Sequence, residues 1–284
     1  MSLTATCATI TAMLASAQGG EVINLKGNCT TITISKQYRR EVTINAGGSS
    51  VVGLVVRGAN VRWRGGKLSA KDGAHGKAGN GYAVLIHQGA ANVRLEGVTI
   101  TAAKKGLVVD QARNIAIVDS KFIALGEDGM IVSRVNGLTV TGNQFGNPVG
   151  KPTECLVNGR VQLGLAKRNC AGVWKDGYHS DAIQMRNGVV GARIAGNLIE
   201  GKTQGITQMD SKGDAALQNV TIENNIVRTD HYHHITLGNC IGCAIMNNQV
   251  QRAEGSPKKA IIRPGLAIRC GNKAQDERVQ DGRC

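Results

Sequence analysis

Gly126-Glu127-Asp128-Gly129-Met130-Ile131-Val132 recurs, after an interruption, as His179-Ser180-Asp181-Ala182-Ile183-Gln184-Met185. Each copy places an acidic residue at a turn, follows it with a small residue and runs into a short apolar strand. Each then leads to a second strand ending in Gly-Asn: Leu138 to Asn143 in one case, Ala192 to Asn197 in the other.

The same phrase continues on both sides. With the second strand as ruler, Leu95, Ile117, Val140, Ile194, Ile222 and Met246 fall in one column, at steps of 22, 23, 54, 28 and 24 residues. A fixed period in this range is the mark of a solenoid, in which each repeat buries its apolar face only against its neighbours. The step of 54 reads as one ordinary turn of about 23 plus an excursion of about 31, an insertion that belongs on one face. Three residues beyond the ruler stand Val98, Ser120, Asn143, Asn197 and Asn225, and two beyond Met246 stands Asn248. Asn suits a tight corner, because it tolerates left-handed backbone and its amide can bond from one rung to the next.

From about Glu21 to about Ala267 this pattern resembles the right-handed parallel β-helix, pectate-lyase-like superfamily. Its members include pectate-lyase-like and alginate-lyase-like polysaccharide lyases, polygalacturonase-like hydrolases and phage tailspikes. The Asn-Thr-Asp and Gly-His-Gly motifs of polygalacturonases and the Asp-Pro-His-Glu motif of alginate epimerases are absent, so no individual family is assigned. The resemblance implies an all-β, right-handed parallel β-helix and makes cleavage of a polysaccharide by a lyase the leading expectation. The chain reads as one domain over 1–284, with an N-terminal cap over 1–20, coils over 21–267, an inserted loop at about 146–177 and a tail over 268–284.

Composition agrees. Aromatic residues make up 3% of the 284, while 38 are Gly and only 4 are Pro, as narrow stacked strands with continuous ladders require. No stretch approaches 18 apolar residues. The 34 Lys and Arg against 20 Asp and Glu leave a net charge of +14, which suits a polyanionic partner or simply keeps a long sheet soluble. The chain has neither a basic helix nor an aromatic stacking platform for nucleic acid, so an acidic polysaccharide fits better. The 8 cysteines, an even number, point to an oxidising compartment, secreted or periplasmic. Cys7 with Cys29 and Cys155 with Cys170 are local pairings, leaving Cys240, Cys243, Cys270 and Cys284 to pair among themselves, Cys270 with Cys284 at the tail. Cys240 and Cys243 beside His231, His233 and His234 also permit zinc, though disulfides suit the composition better. The chain opens Met1-Ser2-Leu3 and enters patterned sequence at once, as a mature form would.

In chain order, Ile10, Met13, Leu14 and Ala17 give an apolar helical face that would plug the open end of the solenoid. Short strands follow over Glu21–Leu25, Thr31–Ile34, Glu41–Ile44 and Gly53–Val56, with Tyr38-Arg39-Arg40 read as a solvated loop. Trp63 sits on the ruler, and Lys71–Gly81, which holds His75, reads as a loop.

From Lys105 the first strands of successive coils stack as Gly106–Val109, Gly129–Val132, Ala182–Met185, Gly205–Gln208 and His234–Leu237. Strand alternation sends Leu107, Met130, Ile183, Ile206 and Ile235 inward. It sends Gly106, Gly129, Ala182, Gly205 and His234 outward as a shallow floor, followed by Val108, Ile131, Gln184, Thr207 and Thr236. Just before the floor stand Lys105, Asp128, Asp181, Gln204 and His233, all polar. Asp128 and Asp181 then lie about one strand spacing apart, where two carboxylates share a proton or a cation such as Ca²⁺. Either may instead only bond turn backbone.

His179, Arg186, Tyr232, His233 and His234 surround this column. Met209–Lys212 and the excursion, with Trp174 and Lys175 beyond it, would wall the groove. Elimination on a uronic-acid polymer needs neutralisation of the carboxylate, here by a cation or by Arg186 or Lys105, and a base and an acid, here from His179, His233, His234 or Tyr232. Asp181 then belongs to the catalytic group, with Gln184, Gln204, Lys105 and Tyr232 holding the sugar and Asp128 with Asp181 holding any metal. The alternatives are a glycoside hydrolase pairing Asp128 with Asp181 or Asp181 with Asp210, and a non-catalytic, tailspike-like adhesin.

Overall fold

A computed structural model describes residues 2–73, 81–146, 154–158, 160–162, 171–175, 180–208, 213–256 and 258–276. Three long parallel sheets account for most of it. Each coil contributes one strand to each sheet in turn. Sheet 1 holds the first strands, among them Leu54–Val56, Tyr82–His87, Lys105–Asp110, Met130–Ser133, Asp181–Arg186, Gln204–Gln208, Ile235–Thr236 and Ile262–Arg263. Sheet 2 holds the second strands, such as Ala91–Glu96, Arg113–Val118, Asn136–Thr141 and Val190–Ala195. Sheet 3 holds short third strands, such as Lys121–Ile123, Gln144–Gly146, Leu198–Gly201 and Ile226–Thr229.

The core is a stack of aliphatic side chains, one rung on the next. Leu107, Met130, Ile183, Ile206 and Ile235 are all fully buried inside sheet 1, in register as the alternation predicts. On sheet 2 the ruler runs through Trp63, Leu95, Ile117, Val140, Ile194 and Ile222. Its next member is Ile245 and not Met246, so the last step is one residue shorter than the sequence spacing suggested.

The corner between sheets 2 and 3 carries the Asn column. Asn143 donates from its backbone N–H and its Nδ2 to Asn197 Oδ1, at 2.9 and 3.0 Å, and the pattern repeats from Asn197 to Asn225, Asn225 to Asn248 and Asn248 to Asn272. Each Nδ2 also donates to a carbonyl one coil back, for Asn197 that of Val140 at 2.9 Å. The side chains are buried, so these bonds satisfy groups that would otherwise be costly to desolvate. Ser120 extends the column, accepting from Val98 N–H and donating its own N–H to Asn143 Oδ1.

Helix Ile10–Ser16 covers one end with Ile10 and Leu14 buried, and Cys7 is disulfide-bonded to Cys29. Tyr38-Arg39-Arg40 is not a loop. It lies within the strand Gln37–Asn45, which shifts register between Gln37 and Val42, and Tyr38 is buried with its hydroxyl donating to Leu14 O at 2.8 Å. At the other end the ladders continue past residue 267, through Ile268–Cys270 and Lys273–Ala274.

The excursion leaves after Gln144–Gly146 and contains a three-stranded antiparallel sheet of Glu154–Val157, Arg160–Gln162 and Val173–Lys175. Met130–Ser133 pairs directly with Asp181–Arg186 across it, so Asp128 and Asp181 occupy adjacent coils.

Candidate functional site

Lys105, Asp128, Asp181, Gln204 and His233 stand in one register position of five successive coils. They do not lie beside an open floor. The chain bends as it enters sheet 1, and the next residue in each coil turns into the corner between sheets 3 and 1. A Cβ on Gly106 would meet Gly129 O at 2.5 Å and the Phe122 ring at 3.1 Å, and one on Gly205 would meet His234 O at 1.9 Å. The small residues therefore allow rung-on-rung contact beneath Phe122 and Phe145, which stack with centroids 4.4 Å apart.

His234 ends this inward column and so does not face the groove. It is 0% exposed, and its ring nitrogens face the backbone of Thr229 and Gln251 without reaching hydrogen-bond geometry. Burial lowers its pKa to about 4, so the ring is neutral.

The two aspartates form a clamp between coils. Asp128 Oδ1 accepts the Asp181 backbone N–H at 3.0 Å. Asp181 Oδ1 accepts from the Thr207 hydroxyl at 2.8 Å, and its Oδ2 accepts from Gln184 Nε2 at 2.7 Å. Burial pushes the Asp128 carboxyl up to about 7, and the charges of Asp181 and Glu127 add to the rise against the hydrogen bond from Asp181. Three of the four carboxylate oxygens are thus engaged by protein donors, and the pair is 5% and 2% exposed. That donor set does not fit Ca²⁺, which takes six to eight oxygens. Among the described residues no group of three or more His, Cys, Asp and Glu is placed to hold a metal. Cys240 and Cys243 are disulfide-bonded to each other, which removes them as zinc ligands, and Cys270 is disulfide-bonded as well.

Gln204 is buried, its N–H donating to Ser180 O at 2.7 Å and its Oε1 lacking a hydrogen bond. Lys105 is half-buried, its Nζ 3.9 Å from Glu127, which Lys104 also approaches at 3.8 Å. His179, His75, Asp210 and the rest of Met209–Lys212 lie outside the described residues, as do Cys170 and Cys284 of the expected disulfides.

The groups that reach the surface cluster two coils beyond Asp181. Tyr232 is 42% exposed, its ring centroid 4.1 Å from that of His233 and 4.4 Å from that of His231. His233 Nδ1 lies 3.1 Å from the Thr236 hydroxyl. Arg263, in register with Thr236, donates to Tyr232 O and lies over its ring, 5.4 Å from the centroid. Arg263 was not singled out in the sequence, although the spacing Ile206, Ile235, Ile262 of the inward column would have placed it there. Arg186 is exposed on the Asp181 coil. Gln184, Thr207 and Thr236 share one register position, but Thr207 is fully buried, so Gln184 on one side and Thr236 with Arg263 on the other are the half-buried polar groups of that position.

No protein-family model matches the sequence, and no curated protein matches it. Solved structures do resemble the fold. An alginate lyase from Paenibacillus sp. str. FPU-7 matches at 13% identity with a TM-score of 0.56, covering 99% of this chain and 96% of its own. The Dettilon tailspike protein matches at 13% identity and a TM-score of 0.56, and the chain spans 55% of that tailspike. DFA-IIIase from Arthrobacter chlorophenolicus A6 matches at 10% identity and 0.52, over 94% of this chain and 60% of the enzyme. At such identities the likeness concerns architecture alone: the chain has a right-handed parallel β-helix fold.

Proposed function

We propose that the chain cleaves a uronic-acid-containing polysaccharide by β-elimination on the outer face of sheet 1, with His233 and Tyr232 transferring protons. The observation that carries this reading is the meeting of three side chains on that face: Arg263 lies over the Tyr232 ring, whose centroid is 4.1 Å from that of His233. Arg62 and Arg94 are ion-paired with Glu96 on sheet 2, and Arg193 with Glu223; on sheet 3, Arg228 is ion-paired with Glu200. Arg186 and Arg263 have no carboxylate partner among the described residues. An unneutralised guanidinium beside an imidazole and a phenol is what elimination needs.

In that reaction the carbon bearing the carboxylate gives its proton to a base, and the released pair forms the new double bond. The glycosidic C–O bond breaks with its pair on the leaving oxygen, which takes a proton from an acid. The carbon acid is weak until the neighbouring carboxylate is neutralised, the part assigned to Arg263 or Arg186. His233, oriented by Thr236, and Tyr232, beside it, supply base and acid. Asp181 is a positioning residue, fixing Gln184 and, beneath it, the buried Thr207. No step runs through a cation. A paired-carboxylate hydrolase has less support, because both aspartates are buried and bonded within the coil stack. The disulfides suit work outside the cytoplasm, in a secreted or periplasmic setting.

The test is a panel of polygalacturonate, alginate and glucuronate polymers followed by the ultraviolet absorbance of unsaturated ends, with and without chelator. The expected result is chelator-insensitive absorbance that falls roughly a hundredfold in His233→Ala, the scale of general acid–base catalysis. New reducing ends without unsaturation would make the protein a hydrolase, and binding without cleavage would make it an adhesin.

A further inference from the structure

One register position along the outer edge of sheet 1 reads Arg57, His87, Asp110, Ser133 and Arg186 in five successive coils. Its middle is neutralised: Arg134 holds Asp110 with two short bonds, at 2.6 and 2.8 Å. Its ends are not. Arg57 is exposed and has no carboxylate partner among the described residues, the same condition as Arg186.

Arg57 is also held in place. Its Nε–H donates to His87 Nε2 at 2.7 Å, which requires the imidazole to be neutral with its proton on Nδ1. The backbone behind it is rigid: Arg57 N–H donates to Ile34 O at 2.8 Å, and Gln37 Nε2 donates to Arg57 O at 3.2 Å. A Cβ on Gly58 would come within 2.2 Å of Lys36 O, so this turn is packed directly on the coil before it. A guanidinium tethered through Nε keeps its two terminal amino groups, the edge that grips a carboxylate.

We propose that Arg57, oriented by His87, is a distal subsite for a carboxylate of the same polymer, which runs along the solenoid axis from the His233 cluster across Arg186 to Arg57. Four coil steps separate Arg57 from Arg186, roughly 19 Å at the spacing of neighbouring strands. Six steps separate it from His233, roughly 29 Å. Only a long chain engages both ends, so the subsite favours internal attack on polymers over trimming of short fragments. This inference rests on the proposed function for its ligand class but not for its binding test.

The experiment uses the full chain with Arg57→Gln and Arg57→Lys. Affinity for polygalacturonate and alginate is measured by retention on the immobilised polymers, for size-fractionated oligomers by calorimetry, and for double-stranded DNA as a polyanion of another class. Arg57→Gln should weaken binding of the long polymers roughly fivefold, the scale of one partly exposed charge pair, with no change for a trimer. Arg57→Lys should recover only part of the loss, because an ammonium lacks the paired donors. If the wild-type chain cleaves a polymer, KM for the polymer should rise by the same factor with kcat unchanged. If it binds but cleaves nothing, the lyase reading falls and the retention data still decide the subsite. Equal losses for trimer and polymer, equal losses on DNA and polyuronate, no loss at all, or no binding of polyuronate by the wild type would each overturn the proposal.

Discussion

Two buried groups with opposite pH behaviour sit a few coils apart, and their balance can be separated by mutation. His234 has its pKa lowered from 6.5 to about 4 by burial. The unfolded chain therefore takes up the proton first, and stability that is complete above 6.5 is lost as pH falls toward 4. At 1.36 kcal/mol per pH unit the loss is about 3 kcal/mol. Asp128 is raised from 3.8 to about 7, again mainly by burial. Here the folded chain takes up the proton first, so stability rises as pH falls from about 7 to 3.8, by about 4 kcal/mol. Over the shared window the two slopes nearly cancel, and the wild-type protein should show a flat stability profile between pH 6.5 and 4. Glu21 and Glu96, held below their ordinary value of 4.5 by hydrogen bonds from Gln18 N–H and from Arg62 respectively, begin to cost stability as pH falls through 4.5, at the acid edge of that window. Urea unfolding across pH 4 to 7 checks this. Asp128→Asn keeps an oxygen for the Asp181 N–H and removes the charge, so it should unmask an acid-sensitive profile. His234→Leu removes the titrating ring and should leave a protein that becomes more stable as pH falls. Wild-type profiles in both variants would refute the reasoning, because neither group would then be titrating in the core.

Three further outcomes follow from packing. Asn197→Ala strands the Asn143 donors and the Val140 carbonyl inside the corner and should cost about 3 to 5 kcal/mol in chemical denaturation, since each buried unpaired group costs about 1 to 3 kcal/mol. Gly205→Ala drives a methyl onto His234 O, 1.9 Å away, and should lower the thermal midpoint by the equivalent of about 1 to 3 kcal/mol. Replacing Cys7 and Cys29 by Ser opens a loop of 22 residues and should cost about 3 kcal/mol, seen as a lower urea midpoint; an unchanged midpoint would mean that the helical cap holds the end without the bond.

The solenoid was legible because its period is carried by residues with no freedom to vary in kind: aliphatics at the ruler and Asn at a corner that needs both an amide and a tight turn. The slip from Met246 to Ile245 shows the limit, since two adjacent apolar residues look alike until strand pairing chooses between them. Tyr38 was missed because a charged Arg39-Arg40 pair reads as solvent-facing, whereas the strand carries those residues outside and tucks the ring under Leu14. The polar column from Lys105 to His233 was readable from spacing. Its depth was not, because simple alternation ignores the bend that turns Gly129, Ala182 and His234 into the corner. For the same reason Asp128 and Asp181, placed correctly in adjacent coils, turned out to be fastened to backbone, Thr207 and Gln184. Arg263 lay beyond the last recognised repeat and could be found only by extending the inward column one coil further.

The direct pairing of Met130–Ser133 with Asp181–Arg186 means that, in the preceding coil, the four residues Ala124 to Glu127 make the journey from sheet 3 to sheet 1 that residues 147–180 make here. The excursion is therefore a side branch grafted at a single joint, whose two ends meet where an ordinary turn would sit. Its length and composition can change without altering the register of any rung. The branch could therefore be exchanged between solenoids as a cassette while the stacked strands of sheet 1 stay in place.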